Sequence, residues 1–167
     1  SSQNKIPRAG VKAMKNSVNL FNSNLAEIKI TYRNKQKFSE MRKVNSSIDA
    51  VDVLRSIWSD QIEYREEFAI ICLNRANKVL GYSFISSGGL AGTVVDAKVV
   101  FQIALKSNAS SIILAHNHPS GNKQPSDPDI NLTKKLKQAG ALLDLPVLDH
   151  LILTSETYYS LADEGDI

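Results

Sequence analysis

The chain has 167 residues, the length of a single domain that can bury a core without disulfides. Its hydrophobic share of 43% and charged share of 22% are those of an ordinary soluble globular protein. No apolar run in this sequence approaches bilayer length, so we expect no membrane-spanning segment within it. It also opens without a secretory signal pattern, so we expect a cytoplasmic protein. The single cysteine, Cys72, lies in an apolar run and is expected to be a buried core residue.

Charge is distributed unevenly along the chain. Residues 1–45 hold ten Lys or Arg against two acids, whereas the rest of the chain holds ten against fifteen. We expect a flexible basic segment over 1–24, with residues 1–13 as a cloning remnant or processed piece, followed by one domain over 25–167 with its core at 60–165. The basic segment could contact nucleic acid, but its charges are spread and no aromatic residues lie between them.

The first predicted elements are a strand and a helix. Alternating polar and apolar residues predict a strand over 27–33. Ser46 or Ser47 then caps a helix that runs to about Trp58, with Ile48, Val51 and Leu54 on its inner face.

Further along the chain, short apolar runs predict strands and amphipathic patterns predict helices. The predicted strands are 66–73, 79–86, 110–115 and 147–154, of which the first two form a hairpin. The predicted helices are 96–107, capped by Asp96, and 128–139, ending near Gly140 with lysines in its last turns. A loop falls at 87–89 and a short last element at 158–165. The order βαββαβαβ predicts an α/β (α+β) fold with a mixed sheet flanked by helices.

The most informative motif is His116-Asn117-His118-Pro119, followed by Ser126 and Asp129. Residues two apart on a strand share a face, so both imidazoles can grip one ion. The intervening turn formers allow Asp129 to fold back toward them. Two neutral nitrogens and one carboxylate form a three-ligand set that suits zinc and leaves a fourth position for water.

Two simpler interpretations remain open at this point. The histidines are compatible with an incidental surface pair. Ser126, with a proline in the first turn and Asp129 three residues on, also has the pattern of a helix start, in which the aspartate complements the helix dipole. A carboxylate that acts as general base is available in Glu63, Glu66 or Glu67, and the alternative for each is an exposed acid at a strand end.

The motif His116-x-His118-Pro119, six residues, Ser126-x-x-Asp129 resembles the JAMM motif of the JAB/MPN metalloenzyme superfamily. The stretch 112–121 is similar to its bacterial RadC-like branch in particular, as are the segments 65–68, 73–77, 87–96 and 147–152. The similarity spans most of the chain, from about Ile48 to Gly165, and its motifs are specific in combination.

The resemblance implies a JAB/MPN (cytidine-deaminase-like) architecture and one zinc ion per chain, with His116, His118 and Asp129 as ligands. It implies a metallopeptidase or isopeptidase that acts on a peptide or protein substrate. By the same analogy Glu66 is the general base, with Glu67 as the runner-up. Ser126 is then the donor to the developing oxyanion.

Two further expectations complete the sequence-based interpretation. His150 is expected to be a structural histidine bonded to a carboxylate or carbonyl, or a support for the ligands, rather than a fourth ligand. The alternatives to a hydrolase are a DNA-associated accessory protein, in line with the DNA-repair label attached to RadC-like proteins, and a catalytically idle JAB scaffold. The sequence shows no helix-turn-helix or zinc-finger signature.

Overall fold

The computed structural model describes residues 26, 28, 29, 31–87 and 94–167. The predicted basic segment over 1–24 and the predicted loop residues 88 and 89 lie outside these described residues. The three α-helices of the described part are α1 (Ser47–Ile57), α2 (Ala97–Lys106) and α3 (Asp127–Leu142). The five strands are β1 (Glu67–Leu73), β2 (Val79–Ser87), β3 (Ser111–Asn117), β4 (Val147–Leu153) and β5 (Tyr158–Ser160). A short 3₁₀ turn, Phe38–Glu40, precedes α1.

The five strands form one mixed sheet in the order β2-β1-β3-β4-β5. Strands β3 and β4 are parallel, and the other neighbouring pairs are antiparallel. The central strand β3 is buried along its whole length, as its unbroken apolar run predicts. The predicted α/β architecture with a mixed sheet is therefore confirmed.

Helices cover both faces of the sheet. Helix α1 packs with alternate residues of β1, β3 and β4 on one face, including Leu54 and Ile113. Helices α2 and α3 pack on the opposite face, where Val100 and Leu136 meet Leu114. The two faces of each central strand are thus buried in separate hydrophobic clusters, which fixes the register of β3.

This topology gathers several chain segments at one edge of the sheet. The chain leaves the carboxyl end of β3, crosses over through α3 and returns in β4 parallel to β3. Because β1 runs antiparallel to β3, the residues just before β1 lie beside the residues just after β3. The start of α3 closes over the same edge, which is where ligands bind in open α/β sheets.

The predicted strand over 27–33 is wrong for the residues that the structure describes. Residues 28, 29 and 31–33 are exposed and lie outside any strand, and residues 27 and 30 are not among the described residues. Alternation predicts a strand only where one face is buried, and every described residue of this segment is exposed. The element order in the described part is therefore αββαβαββ.

One smaller prediction about the helices is wrong, and another misses a helix end by two residues. Ile48 was expected on the inner face of α1 but is 57% exposed, because the buried stripe is formed by Ala50, Val51, Val53 and Leu54. Helix α3 does not end near Gly140 but continues to Leu142, so its lysines lie before the last turn. A Cβ at Gly140 would collide with the carbonyl of Leu145, so this glycine permits close packing of the loop that follows.

Cys72 is buried, as predicted, and burial raises the pKa of its thiol. No helix in the described part of the chain is long and apolar enough to cross a membrane.

Candidate metal centre

The two histidines of the motif lie at the carboxyl end of β3. His116 is the penultimate residue of the strand and is almost fully buried, whereas His118 follows the strand and is partly exposed. Alternate residues of a strand share a face, so both rings point to the side covered by α3. Their Nε2 atoms lie 2.9 Å apart. The structure thus brings both predicted imidazoles to one point.

Asp129 reaches the same point from the first turn of α3. Ser126 is the N-cap, and its Oγ accepts the Asp129 N–H while its own N–H donates to Oδ2 of Asp129 at 2.8 Å. The carboxylate held in this way has Oδ1 3.3 Å from Nε2 of His116 and Oδ2 3.4 Å from Nε2 of His118. In one conformation, therefore, the Asp129 side chain both takes part in the helix cap and faces the two histidines.

Glu66 lies near the same histidines, because the start of β1 lies beside the end of β3. Phe68 pairs with His116 across the two strands, and Glu66 precedes that pair. The Oε1 atom of Glu66 lies 3.9 Å from Nε2 of His116. One ligand atom from each of Glu66, His116 and His118 falls within 4.8 Å of the others, so these three residues could hold a metal ion.

The other two candidate acids, Glu63 and Glu67, make no contact with the histidines among the described interactions. The Oε2 atom of Glu67 accepts a hydrogen bond of 2.6 Å from the hydroxyl of Ser59, and Glu63 is exposed to solvent. Adjacent residues at a strand start point to opposite faces, so only Glu66 of this pair can line the cleft.

Asn117 positions the segment that carries Glu66, a role that the sequence did not reveal. Its side chain is fully buried, and its Oδ1 accepts the N–H of Glu67 at 2.7 Å. Its Nδ2 donates to the carbonyls of Ile62 and Arg65, each at 2.8 Å. From the sequence Asn117 resembles a turn residue, because its three partners lie 50 to 55 residues away in the chain.

His150 lies directly behind His116 and has no solvent exposure. Its Nε2 is 2.7 Å from Nδ1 of His116, and its Nδ1 is 2.6 Å from Oγ1 of Thr133. Burial lowers the pKa of His150 well below its usual value. The ring bonds to another histidine and to a hydroxyl, in place of the carboxylate or carbonyl that we expected from the sequence.

The Asp129 carboxylate dominates the electrostatics of the site. Contact with the Asp129 carboxylate raises the pKa of His118. Burial acts to raise the pKa of Asp129, but its contacts with His116 and His118 outweigh burial and lower that pKa far below the usual range. An ionised carboxylate therefore faces two ring nitrogens across the site.

An open cleft of about 350 Å³ adjoins these groups. Ser126 lines it together with the histidines, and one wall is formed by the apolar side chains of Phe68, Val95, Pro128 and Leu132. The hydroxyl of Ser126 accepts a hydrogen bond from the helix and finds no acceptor for its own hydrogen among the described residues.

Comparison with known proteins places the chain in one family. Residues 44–166 match the family model described as the RadC-like JAB domain. A UPF0758 protein of Flavobacterium johnsoniae is 45% identical over 126 residues, which cover 75% of this chain and 54% of that protein. UPF0758 proteins of Salinibacter ruber and Alkaliphilus metalliredigens are 39% and 40% identical, covering 77% and 71% of this chain and 54% and 52% of their own lengths. The chain thus spans about half the length of the curated relatives that it matches. It belongs to the RadC-like JAB domain family.

Proposed function

We propose that this domain is a zinc-dependent hydrolase that cleaves a peptide or isopeptide bond, with one zinc ion held by His116, His118 and Asp129. The observation that carries the proposal is the approach of one carboxylate to two imidazole Nε2 atoms at the rim of an open cleft. Membership of a JAB family supports it, since the JAMM motif that the sequence resembles is that of metal-dependent hydrolases.

The distances between the candidate ligand atoms support Asp129 as the third ligand. Ligands about 2.0–2.1 Å from a tetrahedral zinc lie about 3.4 Å from one another. Oδ1 of Asp129 is 3.3 Å from Nε2 of His116, and Oδ2 of Asp129 is 3.4 Å from Nε2 of His118. The two Nε2 atoms are 2.9 Å apart. Glu66 is more distant from His116, at 3.9 Å. This difference favours Asp129 over Glu66 as the third ligand.

Glu66 then serves as the general base. A zinc ion with three protein ligands keeps a position for water, lowers the pKa of that water to about 7 and polarises a carbonyl. Glu66 lies at the edge of the cleft beside His116, within reach of a water molecule there. Its carboxylate would take the water's proton and return it to the departing amine, as a general base and acid does.

Ser126 would stabilise the carbonyl oxygen under attack. Its lone pairs already accept the Asp129 N–H, which fixes the side chain at the cleft and leaves the hydroxyl hydrogen for a substrate oxygen. A donor fixed before the substrate arrives stabilises developing negative charge without reorganisation.

A matched pair of variants tests this function. We expect purified protein loaded with zinc to bind one ion per chain and to cleave a member of a pooled peptide and isopeptide library. Glu66→Gln should retain the zinc and lose cleavage. Glu67→Gln, the neighbour whose carboxylate bonds to Ser59, should retain both.

Four results would count against the proposal. The proposed metal centre would be contradicted if the purified protein bound no stoichiometric zinc. It would also be contradicted if His116→Ala protein kept its zinc. Equal activity of Glu66→Gln and wild-type protein would contradict the assignment of Glu66 as the general base. Stoichiometric zinc without any cleavage would instead favour the idle-scaffold alternative. DNA association remains a separate prediction, which a mobility-shift assay at two salt concentrations would test.

A further inference from the structure

We propose that His150 and Thr133 form a hydrogen-bond relay that holds His116 in the tautomer with an unprotonated Nε2. His150 and Thr133 would thus be positioning residues for the metal centre. The inference rests on the proposed function for its purpose, whereas the tautomer itself follows from hydrogen bonds that involve no metal.

The direction of the relay is set at its far end by a backbone carbonyl. The hydroxyl of Thr133 lies 2.6 Å from the carbonyl oxygen of Asp129 and donates to it, since a carbonyl can only accept. A threonine has one hydroxyl hydrogen, so its Oγ1 must accept at its second contact. That contact is Nδ1 of His150 at 2.6 Å, which therefore carries a proton.

When His150 is neutral, the proton on its Nδ1 also determines which nitrogen of His116 is protonated. The His150 ring is fully buried and contacts Phe68, His116 and Thr133, and no carboxylate of the described part bonds to it. A buried ring without an ionic partner is neutral, so Nε2 of His150 is an acceptor. The 2.7 Å contact then requires a proton on Nδ1 of His116. The Nε2 of a neutral His116 is consequently bare and faces the site.

A single hydrogen bond favours the same tautomer in His118. Its Nδ1 donates directly to the carbonyl of Asn122 at 2.7 Å, which leaves Nε2 as its unprotonated nitrogen when the ring is neutral. Two bare nitrogens then face each other at 2.9 Å. Their lone pairs repel unless a proton or a metal ion lies between them, so the two routes prepare one position for a cation.

The relay also joins the three elements that build the site. It runs from β3 at His116, through β4 at His150, to α3 at Thr133, and it ends on the main chain of Asp129. The carboxylate of that same Asp129 approaches the exposed nitrogen of His116. A shift of α3 would therefore disturb the ring orientation and the carboxylate together.

The first test is the tautomer itself, measured by ¹⁵N NMR of the imidazole rings in metal-free wild-type protein. We expect His116 to be protonated at Nδ1 and bare at Nε2, with His150 protonated at Nδ1. A proton on Nε2 of His116 in the neutral ring would overturn the relay. This readout requires neither zinc nor catalysis, so it separates failure of the relay from failure of the proposed hydrolase.

The second test compares Thr133→Val with the conservative variant Thr133→Ser. Valine removes the acceptor of the His150 proton, which would move to Nε2 of His150 and reverse the tautomer of His116. We expect zinc affinity, measured by competition with a chelator, to fall about 10- to 100-fold in Thr133→Val. Thr133→Ser keeps the hydroxyl and should restore both the affinity and the NMR signature.

An unchanged tautomer and unchanged affinity in Thr133→Val would contradict the relay. A fall in affinity of the same size in Thr133→Ser would also contradict it, since packing and not the hydroxyl would then be responsible. If Thr133→Val fails to fold, the wild-type spectrum and the serine variant decide the question.

Discussion

The two sides of the metal centre hold their histidines by different means. On the buried side, His116 sits within β3, bonds to His150 and lies opposite Phe68, with its ring centroid 6.2 Å from that of the phenylalanine. On the open side, His118 lies beyond the strand, and its ring bonds to the carbonyl of Asn122, four residues further along the chain. The turn from His118 to Asn122 is completed by Gly121, whose φ of 81° favours glycine.

The difference suggests that the two sides contribute differently to stability and to metal binding. The buried side depends on contacts between β3, β4 and α3, so it exists only when the whole domain is folded. On the open side, the His118 ring is held by a local turn, and its main chain has one hydrogen bond to Leu153 of β4. We therefore expect the buried side to contribute to stability as well as to metal binding, and the open side to contribute mainly to metal binding.

The largest predicted contrast is between His116→Ala and His118→Ala. Both variants should lose stoichiometric zinc. In metal-free protein, His116→Ala should lower the free energy of unfolding by about 3 kcal/mol, because it leaves a cavity and an unpaired nitrogen on His150. His118→Ala should lower it by less than about 1 kcal/mol, since the ring is partly exposed. Urea unfolding in chelator measures both values, and equal losses would remove the distinction.

The next largest effect concerns Ser126, which belongs to the open side. Ser126→Ala should lower the cleavage rate about 10²- to 10³-fold by removing the oxyanion donor, and stability by about 1 kcal/mol by removing a helix cap. The matched control is Ser46→Ala, because Ser46 caps α1 in the same way away from the site. It should show the stability loss with an unchanged rate. Equal rates in the two variants would leave Ser126 with a capping role alone.

A moderate effect is expected from Asn117→Ala, on the buried side. This change removes the hydrogen bonds that hold the segment of Glu66 and should lower stability on the order of 2 kcal/mol. Misplacement of Glu66 should lower the turnover number roughly tenfold to a hundredfold. Zinc content should stay at one per chain, since no ligand is removed. Loss of zinc together with activity would mean that Asn117 supports the ligands and not the base.

The smallest effect on the site is expected from Asp149→Asn, the neighbour of His150 on the opposite face of β4. Burial raises the pKa of Asp149, so its ionised form opposes folding, and this opposition grows as the pH rises above the unfolded value of 3.8. Asparagine is neutral at every pH and can keep the bonds to Ser160 and to the N–H groups of His150 and Ala162. Stability relative to wild type should therefore increase from acid to neutral pH, with unchanged zinc affinity. A relative stability that falls with rising pH would contradict this sign.

Much of the fold could be predicted from the sequence because its signals are local. Ser46, Asp96 and Ser126 each cap a helix where the sequence predicts one. The apolar run before His116 forms the central strand, although the strand continues to Asn117, two residues further than predicted. The strand over 27–33 was predicted from alternation alone, which contains no information about whether either face finds a partner.

The site was partly predictable for the same reason. His116, His118, Ser126 and Asp129 are close in the chain, so their spacing predicted a common point. Glu66 came from a family resemblance, because its approach depends on the antiparallel pairing of β1 with β3. Asn117 and Thr133 were not identified, since each acts through partners that only the folded sheet brings together.

X-ray absorption at the zinc edge, recorded on zinc-loaded protein, tests the metal centre most directly. We predict two imidazole nitrogens at about 2.0–2.1 Å, with oxygen atoms from Asp129 and solvent as the remaining ligands. A third imidazole would contradict this account, because His150 would then be a ligand and not a support for His116. A sulfur ligand would place the zinc away from this site altogether.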